Sequence, residues 1–381
     1  MKIAVNASSL KKHLSINDKD PFIEIFLQMA TSHPEHTFIF ISDAPFPPDL
    51  HFPYNVEPIV TGHEANTPLK WRIWYNLKIP AVLKKHTAAI FISEHFCSLK
   101  TKIPQLLISP DLTFLQQPSF VNKKWIHFYK KYTPLFLKKA EAILVSSKFL
   151  KNELIAHYKT EEGKIMVTHQ KPCNHFAPLG LEEKEKIKEK YTGGNEYFIY
   201  RGIISPQKNL LNLLKAFSAF KKRQRSSMHL IISGNPGQEY ESLKESLRLY
   251  RFNKEVALLD DLTEIETAKI IASAYCMVYT PAYETASIAP LEAMKCEVPV
   301  IVSSSGSLPE VGGDAALYAD PDHFKDIAEK MMLIFKDEGS RKVLIEKGKA
   351  HLLKYNSKET PDIFKIIENT VKDIPSVERI S

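Results

Sequence analysis

One stretch decides the fold of this chain: YTPAYETASIAPLEAMKCEVPVIVSSSGSLP, which runs from Tyr279 to Pro309. It begins at the end of a short apolar run, Cys276 to Tyr279, which predicts a buried strand. Pro290 marks the start of a helix, because its missing N–H and fixed φ suit the first helical turn. A second apolar run, Val298 to Val302, predicts the next strand. Strand, loop, helix and strand in this order are the repeating unit of a parallel α/β sheet.

Two glutamates, Glu284 and Glu292, flank the start of this helix, with seven residues between them. A helix N-terminus presents free N–H groups and a positive dipole end to an anion. Carboxylates would repel a phosphate, but they accept strong hydrogen bonds from the neutral hydroxyls of a sugar or ribose. The spacing alone equally allows a structural interpretation, in which Glu292 complements the helix dipole and Glu284 is a solvated loop residue.

The same stretch is similar to the donor-binding core of retaining glycosyltransferase family 4, the glycosyl transferases group 1. That family has a glutamate, a Gly-Phe-Gly-type loop and a second glutamate eight positions on, and residues 291–321, LEAMKCEVPVIVSSSGSLPEVGGDAALYADP, match the continuation of its pattern. The resemblance covers 197–321 and implies the GT-B fold, in which two Rossmann-like, doubly wound parallel-sheet domains face each other across a cleft. It implies an acceptor domain at 1–178, a nucleotide-sugar donor domain at 179–359, and a last helix within 360–381 that packs back on the first domain.

The resemblance also assigns residues of the second half to the donor. Gly202 and Lys208 match the phosphate loop, in which the lysine meets the diphosphate. Arg201 stands one residue before this glycine, whereas the family commonly places its arginine after it. Glu284 is assigned to the sugar hydroxyls as a catalytic carboxylate, and Glu292 to the ribose. The other donor positions lie in a turn, in the loop between the glutamates and at the helix start: Gly234, Thr285, Ser287, Ile288 and Leu291.

The donor loop departs from the family pattern, because Gly-Phe-Gly becomes Thr285-Ala286-Ser287. Side chains therefore stand where the family has free backbone, and the hydroxyls of Thr285 and Ser287 could make the contacts instead. The leaving diphosphate would be stabilised by Lys208 and by the N–H groups of the helix start. Since the family is metal-independent, we expect no divalent cation and no cofactor beyond a UDP- or GDP-sugar as co-substrate.

The resemblance is thinner in the first half. Asp111 matches the aspartate of the family's His-Asp-Leu segment and is the second catalytic candidate, but Pro110 replaces the histidine. Proline can neither donate nor accept a hydrogen bond there through its side chain. His63 and His95 are alternatives for the lost histidine, although a lone histidine is more often structural. The first turn, residues 7–10 (Ala-Ser-Ser-Leu), also lacks the glycine that many family members carry.

Composition is that of a soluble globular chain long enough for two domains. Of its 381 residues, 44% are hydrophobic and 25% charged, and no apolar run approaches the roughly 18 residues that span a bilayer. The first ten residues, MKIAVNASSL, begin directly with a strand-like run, so we expect no secretory signal. Four cysteines without CxxC spacing indicate reduced thiols and a cytoplasmic location: Cys97, Cys173, Cys276 and Cys296.

Residues 120–158 form a helix-rich, lysine-rich segment. Nine lysines lie between Asn122 and Thr160, against only two acidic residues. A solvated helix face is the simpler interpretation. The sharper one is peripheral docking on an anionic membrane at its cytoplasmic face. The formal net charge of +7 suits an anionic ligand or surface but does not distinguish the two interpretations.

The sequence therefore predicts a cytoplasmic, membrane-associating hexosyltransferase. It would move a hexosyl group, with retention, from a nucleoside diphosphate sugar to a glycan or lipid-linked acceptor in polysaccharide or glycolipid biosynthesis; nucleic acid is not an expected partner. The alternative, favoured by Pro110 and the altered donor loop, is a catalytically weak or inactive homologue that acts as a nucleotide-binding or scaffolding subunit. A phosphorylase or phosphosugar synthase is disfavoured, because no additional arginine cluster is present for a phosphorylated acceptor.

Overall fold

The computed structural model describes residues 1–12, 21–62 and 64–372. Its chain divides into two compact units, the first formed by Met1–Thr168 with Thr360–Ser381 and the second by His169–Glu359. Each unit contains one parallel sheet. Because a parallel sheet needs helical crossovers, its strands are buried on both faces and read as continuous apolar runs.

The sheet of the first unit has the order β3-β2-β1-β4-β5-β6-β7. Successive residues of its first strand alternate between two hydrophobic cores, with Ile3 and Val5 in one and Ala4 in the other. This alternation follows from the two-residue period of a strand, and it places one core on each face of the sheet. The seven strands are β1 Lys2–Asn6, β2 Thr37–Ser42, β3 Val56–Val60, β4 Ile90–Glu94, β5 Gln105–Ile108, β6 Ala142–Val145 and β7 Ile165–Val167.

One helical segment of the first unit contains a proline in its interior. The helical path is continuous from Pro68 to Lys85, although it includes Pro80. A π-turn over Trp74–Lys78 precedes the proline and accommodates its missing N–H by an added residue. The helices of this unit are α1 Pro21–Ser32, α2 Pro68–Ile73, α3 Ile79–Lys85, α4 Thr113–Gln116, α5 Lys123–Lys139, α6 Lys148–Tyr158 and, at the end of the chain, α15 Ile363–Lys372.

The edge strand β3 was not predicted from the sequence. It contains Pro58, which cannot donate to a strand neighbour. Since β3 pairs only with β2, one side of the strand needs no donor, and proline is tolerated at such an edge.

The sheet of the second unit has the order β10-β9-β8-β11-β12-β13. This is the doubly wound order in which the strand sequence reverses between the first strand and the fourth, here β8 and β11, and ligands bind at the carboxyl ends beside that reversal. The strands are β8 Tyr197–Arg201, β9 His229–Ser233, β10 Val256–Leu259, β11 Cys276–Tyr279, β12 Val300–Ser303 and β13 Ala316–Ala319. The helices are α7 Leu181–Thr192, α8 Leu210–Gln224, α9 Tyr240–Arg248, α10 Glu264–Ala272, α11 Ala289–Lys295, α12 Leu308–Gly312, α13 Phe324–Lys336 and α14 Glu338–Asn356.

The second unit begins ten residues earlier than the predicted start at 179. Residues 169–178 belong to it, because Phe176 is fully buried in its core. In addition, the Lys295 ammonium donates to the carbonyls of Pro172 and Cys173, at 3.1 and 2.8 Å.

The predicted closing helix is present as α15, and it belongs to the first unit. Ile366 and Ile367 are buried in the same core as Ile3 and Val5. The remainder of the predicted segment, residues 373–381, lies outside the described residues.

Candidate donor site

Two glycines bring the ends of β8 and β9 into contact in the second unit. The Gly202 N–H donates to the carbonyl of Ser233 at 3.0 Å, and Gly202 has a φ of +146°, a conformation that favours glycine. A Cβ on Gly234 would lie 1.8 Å from the carbonyl oxygen of Gly202, closer than any atom can approach. Both predicted glycines therefore allow the loops after β8 and β9 to be in backbone contact at the carboxyl edge of the sheet.

Glu284 follows β11 and forms one charged cluster with Lys208, as their common assignment to the donor predicted. Its Oε2 accepts hydrogen bonds from the Lys208 ammonium and, at 2.8 Å, from the Tyr279 hydroxyl. Lys208 also donates to the Tyr279 hydroxyl at 3.0 Å. Burial, and then repulsion by Glu284, raise the pKa of Tyr279 well above its ordinary value. The tyrosine is therefore protonated at neutral pH and acts as a donor to the carboxylate.

The Ser-Ser-Gly loop after β12 holds the backbone of Glu284. Ser307 N–H donates to the Glu284 carbonyl at 2.8 Å. A Cβ on Gly306 would lie 2.3 Å from this carbonyl oxygen, and the φ of Gly306 is +66°. Ser305 Oγ donates to the Ala282 carbonyl at 3.0 Å. The second half of the motif thus positions the first glutamate.

Glu292 lies on α11, with only 4% of its side chain exposed, and it is paired with Arg201. Arg201 Nη1 donates to Glu292 Oε2 at 2.6 Å, while Nη2 donates to both carboxylate oxygens of Glu264 at 3.0 and 3.2 Å. The guanidinium lies over the Phe176 ring, 5.6 Å from its centroid. Burial raises the pKa of Glu292 to about 7, an effect that Arg201 opposes and Glu264 reinforces.

The remaining predicted positions surround the start of α11. Thr285, Ser287 and Ile288 are half-buried in the loop that connects the two glutamates. Leu291 is fully buried in the core, so only its backbone could face a ligand. The first hydrogen bond of the helix runs from the Glu292 N–H to the Ile288 carbonyl at 3.0 Å, which leaves the preceding amide groups outside the helical ladder.

Asp111 lies in the first unit, whereas the other ten predicted residues lie in the second. Its Oδ1 accepts a hydrogen bond from the N–H of Thr113, the first residue of the short helix α4, at 2.8 Å. His95 follows β4 with a φ of +63°, and its Nδ1 lies 2.5 Å from the carbonyl of Ser109, itself at a φ of +42°. This contact orients the ring and leaves Nε2 as the other polar atom. His63, the other alternative, lies outside the described residues.

Sequence reasoning missed two residues of the site, Tyr279 and Glu264. Tyr279 was interpreted only as the last residue of a buried strand, and Glu264 was given no role. The pairing of Glu264 with Arg201 joins residues 63 positions apart, which no local spacing could indicate. A hydroxyl at the carboxyl end of the strand before the motif was the one available signal for Tyr279.

In the part of the chain that the structure describes, no group of three or more His, Cys, Asp or Glu side chains is placed to hold a metal ion. No helix there is long and apolar enough to cross a membrane.

Comparison with known proteins gives a family match and several relatives. Residues 182–351 match the family model of "Glycosyl transferases group 1". The chain is 28% identical over 247 residues to the O-antigen chain mannosyltransferase B of Escherichia coli, and the match covers 65% of each chain. It is 26% identical over 259 residues to the O-antigen chain mannosyltransferase RfbU of Salmonella typhimurium, which covers 68% of each. The first of these matches spans slightly less than two thirds of the relative.

Solved structures of similar fold extend over the whole chain. The Anabaena protein HepE, in complex with UDP and glucose, superposes with a TM-score of 0.70 and 15% identity, covering 98% of each chain. This likeness establishes the fold, which is that of the GT-B glycosyltransferases. The recognition made from the motif is confirmed for residues 182–351 of the second unit, which match the glycosyl transferases group 1 family.

Proposed function

We propose that the protein is a retaining hexosyltransferase, with mannose as the first sugar to test, that uses a nucleoside diphosphate sugar as donor. The observation that carries the proposal is the pair Glu284 and Glu292 at the carboxyl edge of a group 1 domain, each with one carboxylate oxygen held by a cation. Mannose is favoured because two O-antigen mannosyltransferases are among its relatives.

In the proposed reaction the acceptor hydroxyl oxygen bonds to the anomeric carbon of the donor sugar while the bond from that carbon to the diphosphate breaks. The nucleoside diphosphate departs with the electron pair. With retention, the acceptor approaches the face that the diphosphate leaves, so the hydroxyl proton passes to a departing phosphate oxygen. Lys208 would stabilise the departing charge, and Glu284 would hold the sugar hydroxyls in register with the acceptor.

We also propose that the reaction needs no divalent cation, because Lys208 and the α11 amides supply fixed positive charge to the diphosphate. Activity should then survive removal of metal ions by a chelator. A loss of activity on chelation that Mg²⁺ or Mn²⁺ restores would contradict this part of the proposal.

The acceptor is proposed to be a glycan or lipid-linked hydroxyl at the cytoplasmic face of a membrane. The first unit contains two stretches, 68–85 and 113–139, that together have eleven Lys or Arg residues and no Asp or Glu. Three side chains spaced four apart on the first stretch are apolar and exposed: Leu69, Ile73 and Leu77. Basic charge combined with exposed apolar groups is the composition that binds anionic bilayers peripherally.

A thermal-shift titration with UDP, GDP and ADP tests the donor site. A nucleotide that binds the folded state raises the melting temperature by mass action. We expect a shift with UDP or GDP that is lost in the Glu284→Ala, Glu292→Ala double variant. No shift with any of the three would favour the inactive homologue, in line with Pro110 at the position of the family's histidine.

A further inference from the structure

The carboxylates of Glu284 and Glu292 have the same pattern of hydrogen bonds. In each, Oε2 accepts a hydrogen bond from a cation at or after the end of β8, from Lys208 for Glu284 and from Arg201 for Glu292. In each, Oε1 receives no hydrogen bond from the described residues. A carboxylate with one oxygen fixed and the other open is prepared to accept a hydrogen bond from a ligand hydroxyl.

The fixed oxygen of Glu284 is shared by two donors. Lys208 and the buried Tyr279 hydroxyl both reach Oε2, and they also contact each other. The tyrosine ring is held by stacking on Tyr200, at a centroid distance of 5.7 Å and an interplanar angle of 10°. An ammonium has three donors, so the two bonds of Lys208 leave one for a phosphate oxygen.

Among the described residues, the fixed oxygen of Glu292 is held by Arg201 alone. Arg201 is in turn held by two bonds to Glu264 and by its position over Phe176. With two carboxylates bound to it, the guanidinium is already neutralised. Arg201, which stands one residue before the glycine of the phosphate loop, is therefore poorly placed to act as a diphosphate ligand.

We propose that Arg201 and Tyr279 are positioning residues, each fixing one carboxylate for a different part of the donor. Arg201 orients Glu292 toward the ribose, and Tyr279, with Lys208, orients Glu284 toward the transferred sugar. This inference rests on the proposed function, and it divides donor recognition between two carboxylate clamps. The ribose clamp is Arg201–Glu292, and the sugar clamp is Tyr279–Lys208–Glu284.

The two clamps predict opposite selectivities, because the ribose belongs to every nucleotide and the hexose only to the intact donor. Calorimetry on the wild type first decides between two ligand series: UMP, UDP and UDP-glucose, or GMP, GDP and GDP-mannose. The dissociation constants of the series that binds are then measured for each variant. Tyr279→Phe should leave the monophosphate and diphosphate within about twofold and weaken the sugar nucleotide about tenfold, with a fall in kcat. Arg201→Gln should weaken all three by a common factor of about tenfold, as expected for loss of a hydrogen bond to a charged group.

Matched controls are available at the other edge of the same sheet. Tyr275 precedes β11, and its hydroxyl donates to the Ile334 carbonyl at 3.1 Å. Arg341 lies 4.5 Å from the centroid of the Tyr275 ring and donates to Glu338 at 3.1 Å, which reproduces the surroundings of Arg201. Tyr275→Phe and Arg341→Gln remove the same groups from the amino edge and should leave the affinity ratios unchanged.

Equal weakening of the diphosphate and the sugar nucleotide by Tyr279→Phe would overturn the sugar clamp. A loss for UDP or GDP without a loss for UMP or GMP in Arg201→Gln would make Arg201 a phosphate ligand and overturn the ribose clamp. If Arg201→Gln unfolds the second unit, Arg201→Lys keeps the charge but cannot reach two carboxylates, and it should show the same common loss. A wild type that binds no nucleotide would instead refute the proposed function itself.

Discussion

The two sheets share a strand order, yet their carboxyl edges differ in chemistry. In the first unit the space beside the reversal between β1 and β4 is occupied by a neutral network, in which Asn6 donates to the Tyr75 hydroxyl at 2.6 Å and to Ser93 Oγ at 3.2 Å. In the second unit the corresponding ends of β8 and β11 carry the charged residues Arg201 and Glu284.

The difference shows that the shared topology does not by itself decide the chemistry of the edge. The first turn of the first unit has Ala7, fully buried, where the second unit has Gly202. The first edge is packed with neutral side chains, whereas at the second edge paired glycines let two loops meet through their backbones beside the charged pairs. Donor binding is therefore expected in the second unit.

The largest expected effect comes from breaking the glycine contact. Gly234→Ala places a Cβ against the Gly202 carbonyl, so the loops after β8 and β9 must separate, and we expect the second unit to lose about 3 kcal/mol or more of stability. Ala7→Gly in the first unit, which removes one methyl group, should cost about 1 kcal/mol at most.

Urea unfolding followed by two probes separates these outcomes. All three tryptophans, Trp71, Trp74 and Trp125, lie in the first unit, so their fluorescence reports that unit, while circular dichroism reports both. Gly234→Ala should lower the midpoint seen by circular dichroism and leave the tryptophan transition in place. A common shift of both transitions would show that the two units unfold together.

The sequence predicted the positions of the site but not the interactions that hold it. Strand β11 has the bounds predicted from its apolar run, which a sequence displays directly. The site residues were assigned by the family resemblance, and the structure pairs Glu284 with Lys208 and Glu292 with Arg201. The partners Tyr279 and Glu264 come from a strand end and a helix start without any shared spacing, so only the folded chain brings them to the carboxylates.

A second prediction concerns the buried charge of Glu292. Its pKa of about 7 in the folded protein exceeds the ordinary value of 4.5, so the folded state binds an extra proton between these pH values. The contribution of Glu292 to stability should therefore be greatest below about pH 4.5 and decrease as the pH rises to 7, by about 3 kcal/mol at most. Nucleotide affinity should change in the opposite direction, because ribose binding uses the carboxylate.

Glu292→Gln should remove both pH dependences, as measured by chemical unfolding and calorimetry from pH 5 to 8. The titratable groups that face this carboxylate are Arg201, Glu264 and, directly after its own helix, the neutral thiol of Cys296; His175 lies 3.5 Å from Glu264. His175→Gln is therefore the control, since it removes the neighbouring imidazole and should preserve the dependence. A dependence that disappears in His175→Gln but persists in Glu292→Gln would assign it to the histidine.

The smallest expected effect per residue is a loss of membrane binding when lysines are replaced in the basic stretches 68–85 and 113–139 of the first unit. It tests whether these stretches, and not the second unit, bind an anionic surface. Lys123 and Lys124 are exposed at the start of α5, and neighbouring α2 presents Arg72 over the ring of Tyr132, 5.6 Å from its centroid. Lys123→Gln with Lys124→Gln should weaken binding to phosphatidylglycerol vesicles by about 1 kcal/mol for each lysine. Flotation of the protein with vesicles at low and high salt measures this.

The second unit provides the control, because Lys342 and Lys347 are equally exposed on α14. Their double replacement by glutamine changes the net charge of the chain by the same amount and should leave vesicle binding unchanged. If both pairs weakened binding equally, the attraction would depend on total charge and not on a face of the first unit. If neither did and salt had no effect, α5 would be a solvated helix face, and the acceptor would reach the enzyme without electrostatic docking.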